Sequence, residues 1–384
     1  MTSFRNYHIQ PKSKFSIVFE TVRPYFLIVS RITIALVFIF SGFVKAVDPL
    51  GFTYKIQDYL TAFGPIWTKL HVLALPLAIS LSTLELVIGL NLFFNIKIRQ
   101  SSKIAFLFML VMTPLTLYIA LFNPVSDCGC FGDALKISNW QTFYKNIVLL
   151  ILVIILLLTT LKSRPLLTKF YESIVVSIFV LIGIGISIYT LNHLPFIDFR
   201  PYKIGANIQE AMLIPEGAEL DKYETTFIYK KGDIQQEFTL DNYPKDDSTW
   251  VFVDQKTTLI SKGYSPAIHN FTMVDSQLDD ITNDVLEHKG DVYLFCMYDL
   301  SLTSEKGAEA AEAFYQKFKN SSSLFYVLTA ANQTQIAEFK EKHNLTLSFC
   351  TTDPITIKTI VRSNPGLIKI NNATIVGKWH WRDF

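Results

Sequence analysis

Hydrophobic residues are distributed unevenly along the chain, with long uncharged stretches before Pro195 and short alternating stretches after it. A helix needs about 20 apolar residues to cross a bilayer. Five stretches reach or approach that length: Tyr25–Val44, Val72–Ile96, Ile104–Val125, Asn146–Leu161 and Ser173–Asn192. The fourth is short, but Trp140, Phe143 and Tyr144 precede it as candidate interfacial anchors. No small-residue cleavage site follows the first stretch, so we expect it to be retained as a helix.

The composition agrees with a membrane domain followed by a water-soluble one. Half of all residues are hydrophobic and only 18% are charged, whereas about a quarter of residues are charged in soluble proteins. The net charge is +2, without a basic stripe or an arginine cluster, so nothing in the sequence indicates nucleic acid as a partner. The partner that the composition predicts is the lipid bilayer.

Basic residues predict the orientation of the helices. They concentrate before the first stretch, between the second and third, and between the fourth and fifth: Arg5, Lys12, Lys14 and Arg23; Lys97, Arg99 and Lys103; Lys162, Arg164 and Lys169. Connections rich in Lys and Arg stay on the cytoplasmic side of a membrane. The sequence therefore predicts a cytoplasmic N-terminal tail, residues 1–24, and after five crossings an extracytoplasmic C-terminal part.

Two of the four cysteines stand one residue apart in the segment NPVSDCGCFGD, at the predicted outer end of the third helix. Disulfides persist outside the cytoplasm, and a strained, exposed disulfide is readily reduced. Cys128 and Cys130 are therefore a candidate redox pair. A permanent loop staple, or two thiols that stay reduced, is an equally good interpretation. Metal binding is a third, although two thiolates without a nearby His fall short of the four ligands of structural zinc.

The surrounding motifs resemble a known family. The segment CGCFGD, followed by NWQTFYKNIVLL, is similar to the MauE-like branch of the DoxX-like membrane proteins, and so are SGFVKAVDPLGFTYKIQDYL and ELVIGL. The resemblance covers residues 25–162. It implies a four-helix membrane domain that handles disulfides during maturation of periplasmic enzymes, beside a thioredoxin-like partner. The whole arrangement resembles DoxX-type proteins of Bacteroidota, which implies a bacterial inner membrane with the C-terminal domain in the periplasm.

An acidic residue inside a predicted helix marks a second candidate site. A carboxylate within the bilayer costs a few kcal/mol and needs a partner or a proton, and Glu85 stands in the middle of LSTLELVIGL. With about 1.5 Å of rise per residue, Glu85 lies roughly 16 Å and Arg31 roughly 9 Å from the cytoplasmic end, whereas Lys45 sits at the opposite surface. The spacing predicts an Arg31–Glu85 ion pair between the first two helices. A proton- or quinone-binding site is the alternative.

The connection after the first helix, KAVDPLGFTYKIQDYL, alternates charges with aromatic residues. Asp48 ends the first helix, because a residue before proline avoids helical geometry. We expect Lys45, Lys55 and Asp58 to belong to an interfacial segment that packs over the bundle near the cysteine loop. This segment either presents a solvated charged face or binds an anionic headgroup or a protein partner.

The second half of the chain begins with residues 193–264, a linker whose alternating stretches predict a small β-rich region and a hairpin turn at Lys231-Gly232-Asp233. From residue 265 the order is strand, helix, strand, helix, strand, short helix and a hairpin around Asn371-Asn372. This order resembles the thioredoxin fold. In that family a cis proline before the penultimate strand lies beside the active site, and Pro365 takes its position here.

The resemblance to thioredoxin does not extend to the redox dithiol. After the first core strand the sequence reads SLTS, with Ser301 and Ser304 in the active-site positions, and a hydroxyl cannot cycle through a disulfide. Cys296 and Cys350 lie in apolar strands, where a cysteine behaves as a small hydrophobe, and we do not expect them to pair.

The predicted architecture is a membrane α-helical bundle, made of a four-helix core over residues 25–162 and a fifth transmembrane helix over 173–192. A soluble α/β thioredoxin-like domain follows over residues 265–384.

Two functions remain open. In the first, Cys128 and Cys130 exchange electrons with a periplasmic dithiol while the thioredoxin-like domain docks substrates. In the second, the protein is a non-enzymatic subunit or scaffold of an envelope complex. Both imply a periplasmic or membrane protein partner. Quinone is the one cofactor to consider, by analogy with disulfide-forming membrane oxidoreductases, whose usual motif has two residues between the cysteines.

Overall fold

A computed structural model describes the protein from residue 14 to residue 384, except residues 126, 161–166, 220–221, 233, 241, 246, 248, 262 and 269–270. Most of the predicted N-terminal tail lies outside the described residues, as do Arg5, Lys12, Lys162, Arg164 and Asp233. The chain divides into two compact units: Met1–Arg200 with Asp383, and Pro201–Arg382 with Phe384.

The first unit is helical. Its elements are α1 (Lys14–Val47), α2 (Pro49–Ala62), α3 (Pro65–Thr68), a 3₁₀ turn (Lys69–Leu73), α4 (Ala74–Phe93), α5 (Ile98–Phe122), α6 (Asn139–Thr160) and α7 (Lys169–Asn192). In the described part of the chain, five segments are long and apolar enough to cross a membrane: Pro24–Val47, Pro65–Phe93, Ile98–Phe122, Asn139–Thr160 and Lys169–Asn192. The five predicted helices are confirmed. The fourth helix begins at Asn139, earlier than predicted, so that the aromatic residues Trp140, Phe143 and Tyr144 lie within its first turns and not before it.

Glycines allow α1 and α4 to pack closely. Gly42 of α1 lies against the backbone of Ser82 and Leu86 in α4, and a Cβ atom on Gly89 of α4 would lie 2.6 Å from the Ile39 amide nitrogen of α1. Small residues permit such close approach between membrane helices. The two contacts fix the register of α1 on α4, and they place residues 82–86 opposite residue 42.

A short polar junction separates α1 from α2. Asp48 ends α1, as its position before proline predicts, and its side chain accepts a hydrogen bond of 2.9 Å from the Gly51 amide. Such a cap satisfies an amide that the first turn of a helix leaves free. From this junction α2 packs on the start of α4, where Ile56 contacts Ala74 and Ala78.

The second unit begins with a helical turn and an antiparallel sheet. The elements are α8 (Ile208–Met212), β1 (Lys222–Lys231), β2 (Ile234–Thr239) and β3 (Val251–Ser261), and the strand order is β2-β1-β3. Gly232 lies between β1 and β2 with a φ of +61°, a left-handed conformation that favours glycine. The hairpin predicted at this turn is present.

A five-stranded sheet with helices forms the rest of the second unit. Its elements are α9 (Thr282–Leu286), β4 (Asp291–Cys296), α10 (Glu305–Phe318), β5 (Leu324–Thr329), α11 (Gln333–His343), β6 (Ser348–Thr351), α12 (Pro354–Ile360), β7 (Gly366–Asn371) and β8 (Thr374–His380). The strand order is β6-β5-β4-β7-β8, with β4, β5 and β6 parallel and β7 and β8 antiparallel. The peptide bond Asn364–Pro365 before β7 is cis. This is a thioredoxin-type arrangement, and the predicted fold class is confirmed.

The last hairpin turns one residue later than predicted. Asn372 and Ala373 have φ angles of +46° and +57°, whereas Asn371 still pairs with Thr374 in the β7–β8 ladder. The Asn371 side chain also donates a hydrogen bond of 2.9 Å to Asp291 Oδ1 on β4. This side-chain bond and the ladder hold Asn371 in the strand and move the turn to the next two residues.

Candidate functional site

The two neighbouring cysteines lie in the loop between α5 and α6. Gly129 between them has a φ of +66°, which turns the backbone so that the Sγ atoms of Cys128 and Cys130 are 2.8 Å apart. Both thiols are free. The distance between their sulfur atoms is less than about 1 Å longer than the 2.05 Å of a disulfide bond. No group of three or more His, Cys, Asp or Glu among the described residues is arranged to hold a metal ion.

The cysteine pair is buried, which corrects the prediction that it is exposed. Cys128 is 6% and Cys130 is 8% exposed. The cover is α2: the Tyr59 hydroxyl donates a hydrogen bond of 2.8 Å to the Cys128 carbonyl, and the Lys55 ammonium lies 3.0 Å from the Asp127 carboxylate. The sequence places a charged and aromatic segment near the loop, but it does not show that this segment closes over the thiols.

The partner of Glu85 is Lys45, so the predicted Arg31–Glu85 ion pair is wrong. Lys45 Nζ lies 2.8 Å from Oε1 and 3.0 Å from Oε2 of Glu85, and both residues are buried, at 4% and 3% exposure. The glycine contacts of α1 and α4 set Glu85 opposite the last turns of α1. Arg31 lies ten residues before Ser41, which is roughly 15 Å along the helix axis. In the part of the chain that the structure describes, Arg31 Nε is buried without a hydrogen-bond partner.

Ser41 connects the ion pair to the cysteine loop. Its Oγ lies 2.6 Å from Glu85 Oε2 and 2.7 Å from the carbonyl oxygen of Cys130, and the hydroxyl is the donor to both. Because a serine hydroxyl has one proton, it serves one acceptor at a time. The Glu85 carboxylate, the Ser41 hydroxyl and the Cys130 carbonyl therefore form a buried polar group in which the hydroxyl donates to one oxygen or the other.

A small cavity opens beside this group. Its volume is about 30 Å³, and its polar lining consists of Ser41, Lys45, Glu85, Cys130, Lys145 and Asn146. A cavity needs about 10–15 Å³ to hold one water, so this one has room for water in contact with several polar groups. Sites for organic ligands measure about 300–1,000 Å³, at least about ten times the volume of this cavity.

The surroundings of the thiols make the two cysteines unequal. The hydrogen bond with Cys128, together with the nearby ammonium groups of Lys145 and Lys45, lowers the pKa of Cys130 to about 6 although burial opposes the change. The same hydrogen bond and burial raise the pKa of Cys128. A thiolate is the nucleophilic form of cysteine. These surroundings favour the thiolate form at Cys130 and the protonated form at Cys128.

Hydroxyl groups occupy the position of a thioredoxin dithiol in the second unit. The Ser301 hydroxyl donates to Asp299 Oδ1 at 2.6 Å, and Ser304 caps α10 by accepting a bond of 3.3 Å from the Gly307 amide. The Ser304 amide donates to the Asn364 carbonyl at 3.2 Å, so the segment does lie beside the cis proline, Pro365.

The two remaining cysteines are separated by a strand. Cys296 of β4 and Cys350 of β6 both pair with Leu328 of β5, which lies between them. Burial raises the pKa of each thiol to about 12. Neither is a reactive thiolate, and neither is placed to complete a disulfide with the other.

The fold and the site define a membrane protein with five candidate transmembrane helices, a buried thiol pair and a thioredoxin-like unit. Residues 23–159 match the family described as Methylamine utilisation protein MauE. Residues 223–262 match a domain of unknown function, DUF8463. No curated protein matches the chain.

Among solved structures, the chain is similar to a protein from Bacteroides thetaiotaomicron described as a candidate protein disulfide isomerase. The identity is 13%, the match covers 30% of this chain and 77% of that chain, and the TM-score is 0.26. A likeness at this level carries no weight by itself. The thioredoxin fold is assigned from the strand order and from the position of the cis proline.

Proposed function

We propose that this membrane protein exchanges electrons with thiols and disulfides of other proteins through Cys128 and Cys130. The observation that carries the proposal is the pairing of two thiols at 2.8 Å with a pKa of about 6 for Cys130. A lowered thiol pKa makes a cysteine a better leaving group from a disulfide. The match of residues 23–159 to the MauE family supports a role at the membrane domain rather than at the thioredoxin-like unit.

The exchange divides the work between the two sulfurs. In the oxidised pair, a partner thiolate attacks the sulfur of Cys128, the Cys128–Cys130 bond breaks, and Cys130 leaves as a thiolate. A second thiolate of the partner then attacks the mixed disulfide and releases Cys128, which takes a proton. The partner dithiol has lost two electrons and the cysteine pair has gained them. A protein disulfide of higher reduction potential reverses the steps and restores the oxidised pair.

The proposed location is the extracytoplasmic side of a bacterial inner membrane. Lys97, Arg99, Lys103 and Lys169 belong to the starts of α5 and α7, at the end of the bundle opposite to the cysteine loop. Basic residues favour the cytoplasmic side, so the cysteine loop faces outward. Disulfides persist in that compartment, which suits a protein that cycles between dithiol and disulfide.

Trapping and redox titration in native membranes test the proposal. Cys296→Ala/Cys350→Ala gives a background in which the pair holds the only thiols of the chain. In that background Cys130→Ser should accumulate a mixed disulfide between Cys128 and the partner protein, whereas Cys128→Ser should accumulate less. The rate of Cys130 alkylation, followed by mass mapping as a function of pH, should have its midpoint near pH 6. Above that pH the thiolate reacts, and below it the unreactive thiol predominates.

Two results contradict the proposal. A Cys128–Cys130 bond that resists reduction down to about −300 mV belongs with structural disulfides. Thiols that stay reduced on both residues under an oxidising buffer show that the pair forms no bond at all.

A second candidate function is that of a subunit or scaffold in an envelope complex. The observation that favours it is the thioredoxin-type unit in which Ser301 and Ser304 stand in the dithiol positions. Such a unit retains a binding surface without redox chemistry. Affinity purification of the full chain from crosslinked membranes tests it: a fixed stoichiometric complex that survives in Cys128→Ser/Cys130→Ser supports the scaffold, and loss of the partners in that variant supports exchange.

A further inference from the structure

A basic pocket lies at the end of the bundle opposite to the cysteine loop. It has a volume of about 390 Å³ and lies between the starts of α5 and α7, where its lining includes Lys97, Arg99, Gln100, Lys169, Glu172 and Ser173. The Lys97 amide donates to Glu172 Oε1 at 3.1 Å, and the Lys97 ammonium donates to Ser173 Oγ at 2.9 Å. These two bonds join the start of α5 to the start of α7, and all three residues line the pocket.

The charges of the pocket favour an anion. Three of its lining side chains are cationic, and among the described lining residues only Glu172 is acidic. Glu172 is 5% exposed, and its Oε1 already accepts the bond from Lys97. A lysine ammonium has three N–H donors, so Lys97 keeps donors beyond the one that it gives to Ser173.

The direction of the two helices adds to this potential. α5 has 25 residues and α7 has 24, and neither has a side-chain hydrogen bond at its N-cap. The N-terminus of a helix carries a partial positive charge and free amide groups, which attract phosphate and carboxylate. Two such ends meet at one pocket with three cationic side chains.

Neighbouring aromatic residues indicate the depth of the pocket. Phe170 is 71% and Tyr171 is 58% exposed, both in the first turn of α7. Aromatic residues at helix ends mark the level of lipid headgroups. Basic pockets between transmembrane helices at this level bind anionic headgroups. We infer that this pocket binds a phosphate group, supplied by the headgroup of an anionic phospholipid.

The test measures lipid binding to the full chain, purified in detergent and stripped of lipid. Phosphatidylglycerol should bind at least about tenfold more tightly than phosphatidylcholine, whose choline cation the pocket repels. Lys169→Gln should weaken phosphatidylglycerol roughly fivefold. The matched control is Lys103→Gln, which removes an exposed lysine of α5 that does not line the pocket and should change binding less than about twofold.

Inorganic phosphate at millimolar concentration separates the two sources of the ligand. If phosphate has no effect on phosphatidylglycerol binding, the ligand is a lipid. If phosphate displaces phosphatidylglycerol, and Lys169→Gln weakens phosphate binding more than Lys103→Gln does, the pocket is a phosphate site whose ligand is soluble.

Equal affinities for the two lipids overturn the inference, and so do equal effects of the two variants. If Lys169→Gln does not fold, as judged by size-exclusion chromatography, Arg99→Gln takes its place in the same comparison.

Discussion

Replacement of Lys45 by methionine leaves the Glu85 carboxylate buried without its cation. At the observed 2.8 Å between Nζ and Oε1, the Coulomb attraction is about 6 kcal/mol for an effective dielectric constant of about 20. The cost of removing both charges from water offsets part of it. Loss of one partner of a buried pair typically costs about 3–5 kcal/mol, because the remaining charge stays unpaired.

Thermal unfolding of the full chain in detergent measures the effect. For a unit of this size about 2–4 °C correspond to 1 kcal/mol, so Lys45→Met and Glu85→Gln should each lower the apparent melting temperature by roughly 10 °C. The double variant should lose clearly less than the sum of the two, because it leaves no unpaired charge. Arg31→Gln is the control, and it should shift the temperature by no more than about 2 °C.

Two outcomes would refute this reasoning. If the Lys45→Met and Glu85→Gln variants both unfold at the wild-type temperature, the ion pair contributes nothing to the stability of the protein. An Arg31→Gln variant that is as unstable as Lys45→Met shows that Arg31, and not Lys45, balances the carboxylate.

Three further substitutions test the cover over the thiols and the serine cap. Gly129→Ala should destabilise the loop and speed alkylation of the pair, because its Cβ would lie 2.6 Å from Lys55 Cγ and its φ is +66°; an unchanged rate contradicts the contact. Tyr59→Phe loses the bond to the Cys128 carbonyl, worth about 1 kcal/mol, and should raise the alkylation rate roughly fivefold; a rate equal to that of wild type argues against α2 as the cover. Ser304→Ala should destabilise the second unit by about 1 kcal/mol and leave the redox potential of the pair unchanged, and a shifted potential would assign this position to the exchange.

The elements of the fold could be predicted from the sequence because their signals are local. Apolar stretches of sufficient length predicted the five helices, and the alternation of strands with helices after residue 265 predicted the thioredoxin order. Gly232 predicted the turn between β1 and β2, and Asp48 before Pro49 predicted the end of α1, each within one or two positions. All of these signals act over fewer than about 25 residues, the length of a membrane helix.

The partner of Glu85 was not predictable from depth alone. Counting residues gives the height of a side chain in the bilayer, but not the register of one helix on another. Gly42 and Gly89 set that register, and they were visible in the sequence as small residues within apolar stretches. Read as packing positions, they would have placed Glu85 beside Lys45.

Burial of the cysteine pair depends on a tertiary contact of long range. The Tyr59 hydroxyl and the Cys128 carbonyl that it contacts are 69 positions apart in the chain. No spacing rule connects them, whereas Cys-Gly-Cys in a polar loop favours exposure. The polar loop suggested an open thiol pair, and the fold of α2 closes it.

The hydroxyl of Ser41, shared between the Glu85 carboxylate and the Cys130 carbonyl, has a thermodynamic consequence. A stronger hydrogen bond to one acceptor leaves the hydroxyl less available to the other, so the two acceptors are linked. Linkage is reciprocal by necessity. If the redox state of the proposed cysteine pair changes how strongly the Cys130 carbonyl attracts this hydroxyl, the hydrogen bond from Ser41 to Glu85 changes by the same free energy, and a change at Glu85 acts on the cysteine loop in return.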